Sequence, residues 1–317
     1  MDKESISRSP ELSIIVVVVT DCQHLTRCLE SLLEQINPPN MEIIVPYEED
    51  TLDISAVQSR FPAVYFHKVT GLKPSNNYNR ASHEHLDKMR AIGMGLARGE
   101  IVALLEDHDR LDKCWSMEII NTHETPYAGI GGAIENEVDR PLNWAVYFCD
   151  FWRYQNPLKE GPSYFISDVN ISYKKSSLER IKEFWEDIYH EPFVNRALRS
   201  KGEILWLSPK IIAYQHRENL RLGSALRERM NWGRYYAGNR AREFPLLKRI
   251  FYAVFSPFLP LLLITRISRS VLIKNRLNLN FIKAFPILVF LTIFWSLGEF
   301  LGYVTAKASR VSKIVLL

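Results

Sequence analysis

Glu106, Asp107, His108 and Asp109 place four ionisable side chains in four consecutive positions. Three carboxyls and one imidazole can seat a divalent cation through hard oxygen ligands and a nitrogen. They follow Ile101 to Leu105, a short apolar run between turn signals. Such a run predicts a strand buried on both faces. A buried strand that ends in acids puts carboxylates at the carboxyl edge of a sheet, where open α/β sheets bind ligands. Taken alone, the cluster leaves a solvated acidic turn open as the alternative.

The surrounding pattern supplies the elements that would position it. Ile14 to Val19 is an unbroken β-branched run, which predicts a central strand. Thr20-Asp21 can cap the helix that follows, whose apolar stripe is Leu25, Cys28, Leu29, Leu32, Leu33 and Ile36. That helix stops before Asn37-Pro38-Pro39. Further strands are expected at Glu42 to Val45 and Ala63 to Val69, with a short helix over 52–60. This alternation predicts a parallel, doubly wound sheet. Gly71 to Asn79 reads as loop, and a helix from Leu86 to Ala97 is expected to close on Gly99 as a left-handed cap. Gly129 to Ala133 reads as a strand or turn of small residues, Asn143 to Tyr154 is dense in aromatics, and late strands are expected at Ile204–Leu207 and Lys210–Tyr214. His216 follows the last of these, and an Arg-rich helical stretch runs from Arg221 to Glu243.

Composition bounds the classes. The 317 residues carry a net charge of +4, distributed unevenly. From Phe244 onward there are ten Lys or Arg and one acid, Glu299, so the preceding chain is mildly acidic. An acidic domain joined to a basic, apolar tail points to a membrane surface rather than nucleic acid. Within that tail, 284–306 holds one charge and is long enough to span a ~30 Å bilayer core. The stretch 250–265 is broken by Pro257 and Pro260 and is expected to be re-entrant or interfacial. Cys22, Cys28, Cys114 and Cys149 form no metal or redox motif and are expected as reduced thiols. No signal peptide is visible, which predicts a cytoplasmic domain. The expected organisation is a polar segment 1–10, a catalytic domain 11–243 and a membrane-associated region 244–317.

In order along the chain, these motifs resemble the family 2 glycosyltransferases. Leu12 to Val19 with its helix and Gln35 is similar to that family's first βα unit. Arg90-Ala-Ile-Gly93 and Ala97-Arg-Gly-Glu100 resemble its "aRNxG…A.Ge" stretch, with Ala91 where Asn is expected. Leu105-Glu-Asp-His-Asp109 followed by Trp115 resembles "LDxDD…W". Asp168-Val-Asn170 with Tyr173-Lys-Lys175 resembles "gaNmayRR", and His190-Glu191 ahead of Gly202 resembles "ED…G". The resemblance runs from about residue 11 to 217. It implies a GT-A fold, an α/β, Rossmann-like and mostly parallel sheet flanked by helices, here with a hydrophobic helical tail. That tail, with Gly298-Glu299 and Gly302-Tyr303, resembles a membrane-associated branch with the same Glu-Asp-His signature.

The resemblance also implies the chemistry: inverting transfer of a sugar from a nucleotide-sugar donor to a hydroxyl of a saccharide or lipid-linked acceptor at the cytoplasmic membrane face, in polysaccharide or glycolipid synthesis. Glu191 is the implied general base. Thr20 and Glu48 would meet the nucleotide base, and Arg90, Glu106, Asp107, Asp168 and Asn170 would line the donor site. Manganese or magnesium would sit on His108 with Asp107 or Asp109, and His216 could add a ligand or meet phosphate. The family's Asp-x-Asp falls on Glu106-Asp107-His108, while Asp107-His108-Asp109 is a literal Asp-x-Asp one position later. Two other readings stay open. A nucleotidyltransferase would want a glycine-rich loop, which Thr20 to Thr26 lacks. The altered metal motif also admits a catalytically idle subunit of a polysaccharide assembly complex.

Overall fold

A computed structural model of the chain describes residues 9–19, 21–48, 54–72 and 83–306. Its elements run β1 (Leu12–Val17), α1 (Cys22–Leu33), β2 (Met41–Glu48), α2 (Ser55–Arg60), β3 (Tyr65–Val69), α3 (His83–Leu96), β4 (Ile101–Glu106), β5 (Asp109–Leu111), α4 (Trp115–His123), β6 (Gly129–Asn136), α5 (Pro141–Phe151), β7 (Gly161–Ser163), β8 (Ile171–Lys174), α6 (Lys175–Glu179), α7 (Glu191–Ser200) and β9 (Leu205–Gln215). Four further helices follow: α8 (Leu222–Glu243), α9 (Leu246–Phe255), α10 (Leu259–Lys274) and α11 (Asn278–Thr305). The chain forms two compact units. One comprises residues up to 134 and 156–216; the other comprises 135–155 and 217 onward.

β1 is buried at every position, as its β-branched run requires. Alternation along it sends Leu12, Ile14 and Val16 to one face, packed with Leu25, Leu29 and Leu32 of α1 and with Trp115 and Ile119 of α4. Ile15 and Val17 face the other way, onto Met89 and Met94 of α3 and Val194 and Leu198 of α7. Helices therefore cover both faces, which leaves the strand ends as a place for a site.

The sheet order is β3-β2-β1-β4-β8-β6-β9-β5, with β7 beside β9. β3, β2, β1 and β4 are parallel. The expectation of a parallel sheet holds for that half. β8 is antiparallel to both β4 and β6, and β9 is antiparallel to both β5 and β7, so the sheet is mixed. The late apolar runs at 204–207 and 210–214 are one strand, β9, which reaches both β5 and β7.

Two glycines correct or sharpen the reading. Gly99 is not a left-handed cap, since the left-handed glycines are Gly71, Gly161 and Gly202. It is glycine because a Cβ there would lie 2.6 Å from the backbone nitrogen of Ser13. Gly132 on β6 is held by contact too: a Cβ would collide with the Asn170 amide and with the carbonyl oxygen of Ile211. One obstacle is backbone and cannot swing away, so Gly132→Ala is expected to cost about 1–3 kcal/mol as overpacking. Thermal unfolding checks this; an unchanged midpoint would mean the β6–β9 spacing relaxes freely.

The second unit holds α5 and α8 to α11. Leu246–Lys274 and Asn278–Thr305 are each long and apolar enough to cross a membrane, by length and composition. Pro257 and Pro260 fall at a 3-10 turn, Ser256–Phe258, and at the start of α10, so the first segment keeps its helical course through both.

Candidate active site

The parallel strands end side by side. Val17 of β1 pairs with Glu106 of β4, and Glu48 is the last residue of β2, half-buried at the same carboxyl edge. Thr20 lies outside the described residues. Beyond Glu106 the chain turns into β5, which pairs with the end of β9 and brings Gln215 opposite Asp109. That pairing also sets His216 beside His108, through a bond from the His216 amide to the His108 carbonyl at 2.9 Å.

Arg90 is the centre of the acidic group. It is 1% exposed and projects from α3 among three carboxylates. Its guanidinium donates to Glu106 Oε1 at 2.6 Å and to Asp87 Oδ1 at 3.1 Å, and lies 3.0 Å from Asp168 Oδ2. Sequence resemblance placed Arg90 on the donor. In the structure its two terminal nitrogens meet protein carboxylates, which makes Arg90 a positioning residue of the site. Asp87 was missed, although its i, i+3 spacing from Arg90 on one helix is a readable signal. Burial pushes the Asp87 carboxyl well above its usual range, against the pull of Arg90. Burial also raises Asp168, again with Arg90 opposing.

Glu191 joins this group from the first turn of α7. The helix has sequence-legible ends. Pro192 suits the first turn, and Gly202 at φ +81° ends it. The bonds Gly202 N–H to Arg199 O and Glu203 N–H to Leu198 O close a Schellman motif. Glu191 Oε1 accepts from Asn195 Nδ2 at 2.8 Å, and the Asp168 amide also donates to its carboxylate. Asn195 is itself fixed by Ile166 O at 3.1 Å and by the Tyr173 hydroxyl at 3.2 Å. Burial first, and then the neighbouring Asp168 charge, hold the Glu191 carboxyl well above its ordinary value. A carboxyl shifted upward and held at a sheet edge is what a general base working near neutrality requires. His190, just before it, is pushed down to about 4 by burial and so stays neutral at physiological pH.

The Asp107–Asp109 stretch divides by function. Asp109 is 1% exposed. It accepts from the Glu106 amide at 2.9 Å and from the Gln215 side-chain amide. Both its oxygens thus brace the turn. The Gln215 amide donates to Asp109, so its carbonyl accepts from His108 Nε2 at 3.0 Å. Nε2 therefore donates, and Nδ1 faces Asp107 Oδ1, 3.4 Å away. Among the described residues no group of three or more His, Cys, Asp or Glu is arranged to hold a metal ion. A magnesium-type site needs only one or two protein ligands plus substrate phosphates. Two such donors on one ion at ~2.1 Å sit about 3.0 Å apart, close to the separation found, so Asp107 and His108 fit a cation of that kind. The bond from His108 Nε2 to Gln215 is also the second interaction that orients metal-binding histidines.

His24 extends the group and was not anticipated. It is 2% exposed, its Nδ1 lies 2.8 Å from Asp21 Oδ1, and its ring is 6.4 Å from that of His216. Asp21 caps α1 through the His24 amide at 2.9 Å, and its own amide donates to Asp107 Oδ2 at 3.2 Å. Asn170 sits deeper than a donor-binding residue would. Its amide donates to Ala133 O at 2.9 Å and Ile211 O at 3.0 Å, and its carbonyl accepts from Trp115 Nε1 at 2.9 Å. It is 1% exposed, with its polar atoms taken inside the core, so it ties β6, β9 and α4 together instead of binding a donor.

The sequence matches the model of the glycosyl transferase family 2 over residues 13–182. The chain belongs to that family. It carries a glycosyltransferase domain built on a GT-A-type mixed sheet, with two apolar helices near its carboxyl end. Among curated proteins, none matches the sequence. Among solved structures, Staphylococcus aureus TarS 1–349 aligns at 13% identity and TM-score 0.45, covering 65% of this chain and 60% of that one. The same protein with UDP-GlcNAc aligns at 13% identity and TM-score 0.47, over 67% and 60%. The mannosyltransferase PcManGT from Pyrobaculum calidifontis, in complex with GDP-Man and Mn2+, aligns at 15% identity and TM-score 0.47, over 75% and 66%. The chain therefore spans under two thirds of the length of each of these structures.

Proposed function

We propose that this chain is an inverting glycosyltransferase, moving a sugar from a nucleotide-sugar to a hydroxyl of a saccharide or lipid-linked acceptor in polysaccharide or glycolipid synthesis. The observation that carries the proposal is the convergence of Glu191 of α7, Arg90 of α3, Glu106 of β4 and Asp168 of the turn before β8 at one strand edge. Glu191 takes the proton of the acceptor hydroxyl as the new bond forms. Asn195 and the Asp168 amide keep its carboxylate oriented during the step. Arg90 holds Glu106 and Asp168 in place, with Glu106 set to meet ribose hydroxyls and Glu48 set to accept N–H bonds of the base. Asp107 and His108 would hold manganese or magnesium. That cation, when bound, supplies neutralisation of the leaving diphosphate. The apolar helices attach the domain to the cytoplasmic face of a membrane.

The direct test is a screen of UDP- and GDP-sugars with simple acceptors, with and without manganese, reading nucleoside diphosphate release and product configuration. Transfer with inversion is expected; a retained anomeric configuration would overturn the single-displacement step, and absence of donor binding would favour an idle subunit. The cation assignment has its own test. Asp107→Asn and His108→Ala should each weaken manganese-dependent nucleotide affinity at least tenfold, because these are the atoms on the ion. Asp109→Asn should stay within a few-fold, since Asp109 only braces the turn. Isothermal titration in which Asp109→Asn loses as much as the other two would move the cation to Asp109.

A further inference from the structure

The two apolar segments are each long enough to cross a bilayer: α11 alone, with 28 residues, measures about 42 Å against a ~30 Å hydrocarbon core. Packing argues for a different arrangement. α8 lies against α11 in backbone contact: a Cβ on Gly233 would collide with the Trp295 carbonyl, one on Gly298 with the Met230 carbonyl, and one on Gly302 would lie 2.7 Å from Ala237 Cβ. α8 cannot be a lipid-immersed neighbour. Ala225, Arg229, Gly233, Ala237 and Ala241 form one buried stripe, with Gly238 buried beside it, while Arg227, Asn231, Arg234 and Arg242 are exposed. Arg229 is paired with both oxygens of Asp150. Beside this contact α11 buries Glu299, which is 6% exposed and accepts from Trp295 Nε1 at 2.6 Å.

Both ends of α11 are also tied to polar groups of the same unit. At the α10–α11 turn, Lys274 donates to Trp152 O at 3.3 Å, Arg276 pairs with Glu135, and Asn280 donates to Asp139 at 3.1 Å. At the far end, Arg249 donates to Tyr303 O at 3.1 Å and Val304 O at 3.0 Å, and Arg240 meets the Tyr303 hydroxyl at 3.1 Å. A hairpin of two spans would carry the first set across the membrane, and a single span the second. What α11 leaves uncovered is one stripe, including Leu279, Ile282, Ile293, Leu297 and Val304. Leu247, Phe251, Phe258 and Leu261 extend the uncovered apolar surface on α9 and α10, with Lys248, Arg266, Arg269 and Lys283 exposed among them.

Building on the membrane reading above, we propose that α9, α10 and α11 lie within a single leaflet of an anionic bilayer, with α8 on the water side, and do not cross it. The amphipathic face supplies the apolar insertion and the basic side chains the attraction to acidic headgroups. α11 then presents lipid with one face along its whole length, as its one-sided burial requires.

The experiment uses the full chain. Purified protein is floated with vesicles of phosphatidylcholine alone or of phosphatidylcholine with phosphatidylglycerol. At least tenfold tighter binding to the anionic vesicles is expected. Asn275→Cys and Ala306→Cys variants are then made in expressing cells. Their membranes, sealed with the cytoplasmic face out, are treated with an impermeant maleimide, and labelling is read by intact mass against the parent chain. The exposed native Cys114 marks the side of the catalytic unit. Labelling of both new thiols as complete as that of Cys114, and unchanged by detergent, is the expected result. Protection of position 275 until detergent is added would establish a hairpin, protection of position 306 a single span, and either would overturn the in-plane arrangement. Failure to bind either vesicle, with the chain absent from the membrane fraction, would overturn the membrane reading itself. A stable dimer in lipid-free buffer that covers this face would assign it to a second copy instead.

Discussion

Glu191→Gln should bind donor within about threefold of the parent and lose roughly 10²–10⁴-fold in turnover, the usual contribution of a general base. The substitution is nearly isosteric, and its carbonyl oxygen can still accept from Asn195 Nδ2 and from the Asp168 amide, the two donors that hold Glu191 in place. Only the capacity to take a proton is removed. Turnover within a few-fold of the parent, at saturating donor and acceptor and with chemistry limiting, would remove Glu191 from the proton transfer. Collapse of donor binding would instead make it a structural residue of α7.

The pH profile carries the same claim by an independent route. Burial and the Asp168 charge raise the Glu191 carboxyl. A base is inactive when protonated, so turnover should climb with pH through that raised value and then level off. The acidic limb should therefore lie well above the ordinary Glu range, and its height should be lost in Glu191→Gln. His190, held neutral by burial, does not titrate over that window and cannot supply the limb.

What the sequence made legible follows from locality. α7 was not predicted although Pro192 and Gly202 mark its two ends, whereas β1 and β4 were readable because each is a continuous apolar run. The acidic cluster at the end of β4 was readable for the same reason. The antiparallel half was not, because β5 and β7 are three residues each and are defined by β9, whose paired residues lie roughly a hundred positions from β5 and roughly forty from β7. Roles inside the cluster were not readable either. Asp107 and Asp109 are the same residue type two positions apart, and only the position of Gln215, on another strand, makes one of them a brace. Asn170 and Arg90 looked like ligand-binding residues because polar residues in a motif carry no label saying whether their partners are protein or substrate.

Arg90→Met should be the most damaging single change in the domain. The side chain is 1% exposed, and three carboxylates lie within 3.1 Å of its guanidinium. Met fills much of the volume, so the loss is electrostatic: removing one partner of a buried ionic group costs about 3–5 kcal/mol. At about 2–4 °C per kcal/mol for a unit of this size, the midpoint should fall by about 6–20 °C. The sign of the pH dependence separates charge from packing. Asp87 and Asp168 are already raised by burial in the native chain, with Arg90 pulling them back. Without Arg90 they rise further, so protonation relieves the variant, and its stability is lost as pH climbs through those raised values. The deficit should be widest near pH 8 and narrow toward pH 5. A deficit flat across that range would assign the loss to packing. Arg90→Lys should recover only part of it, because one ammonium on a flexible stem cannot satisfy three carboxylates as a planar fork does. Activity should fall even where the variant is folded, since Asp168, whose amide holds Glu191, is itself anchored by Arg90.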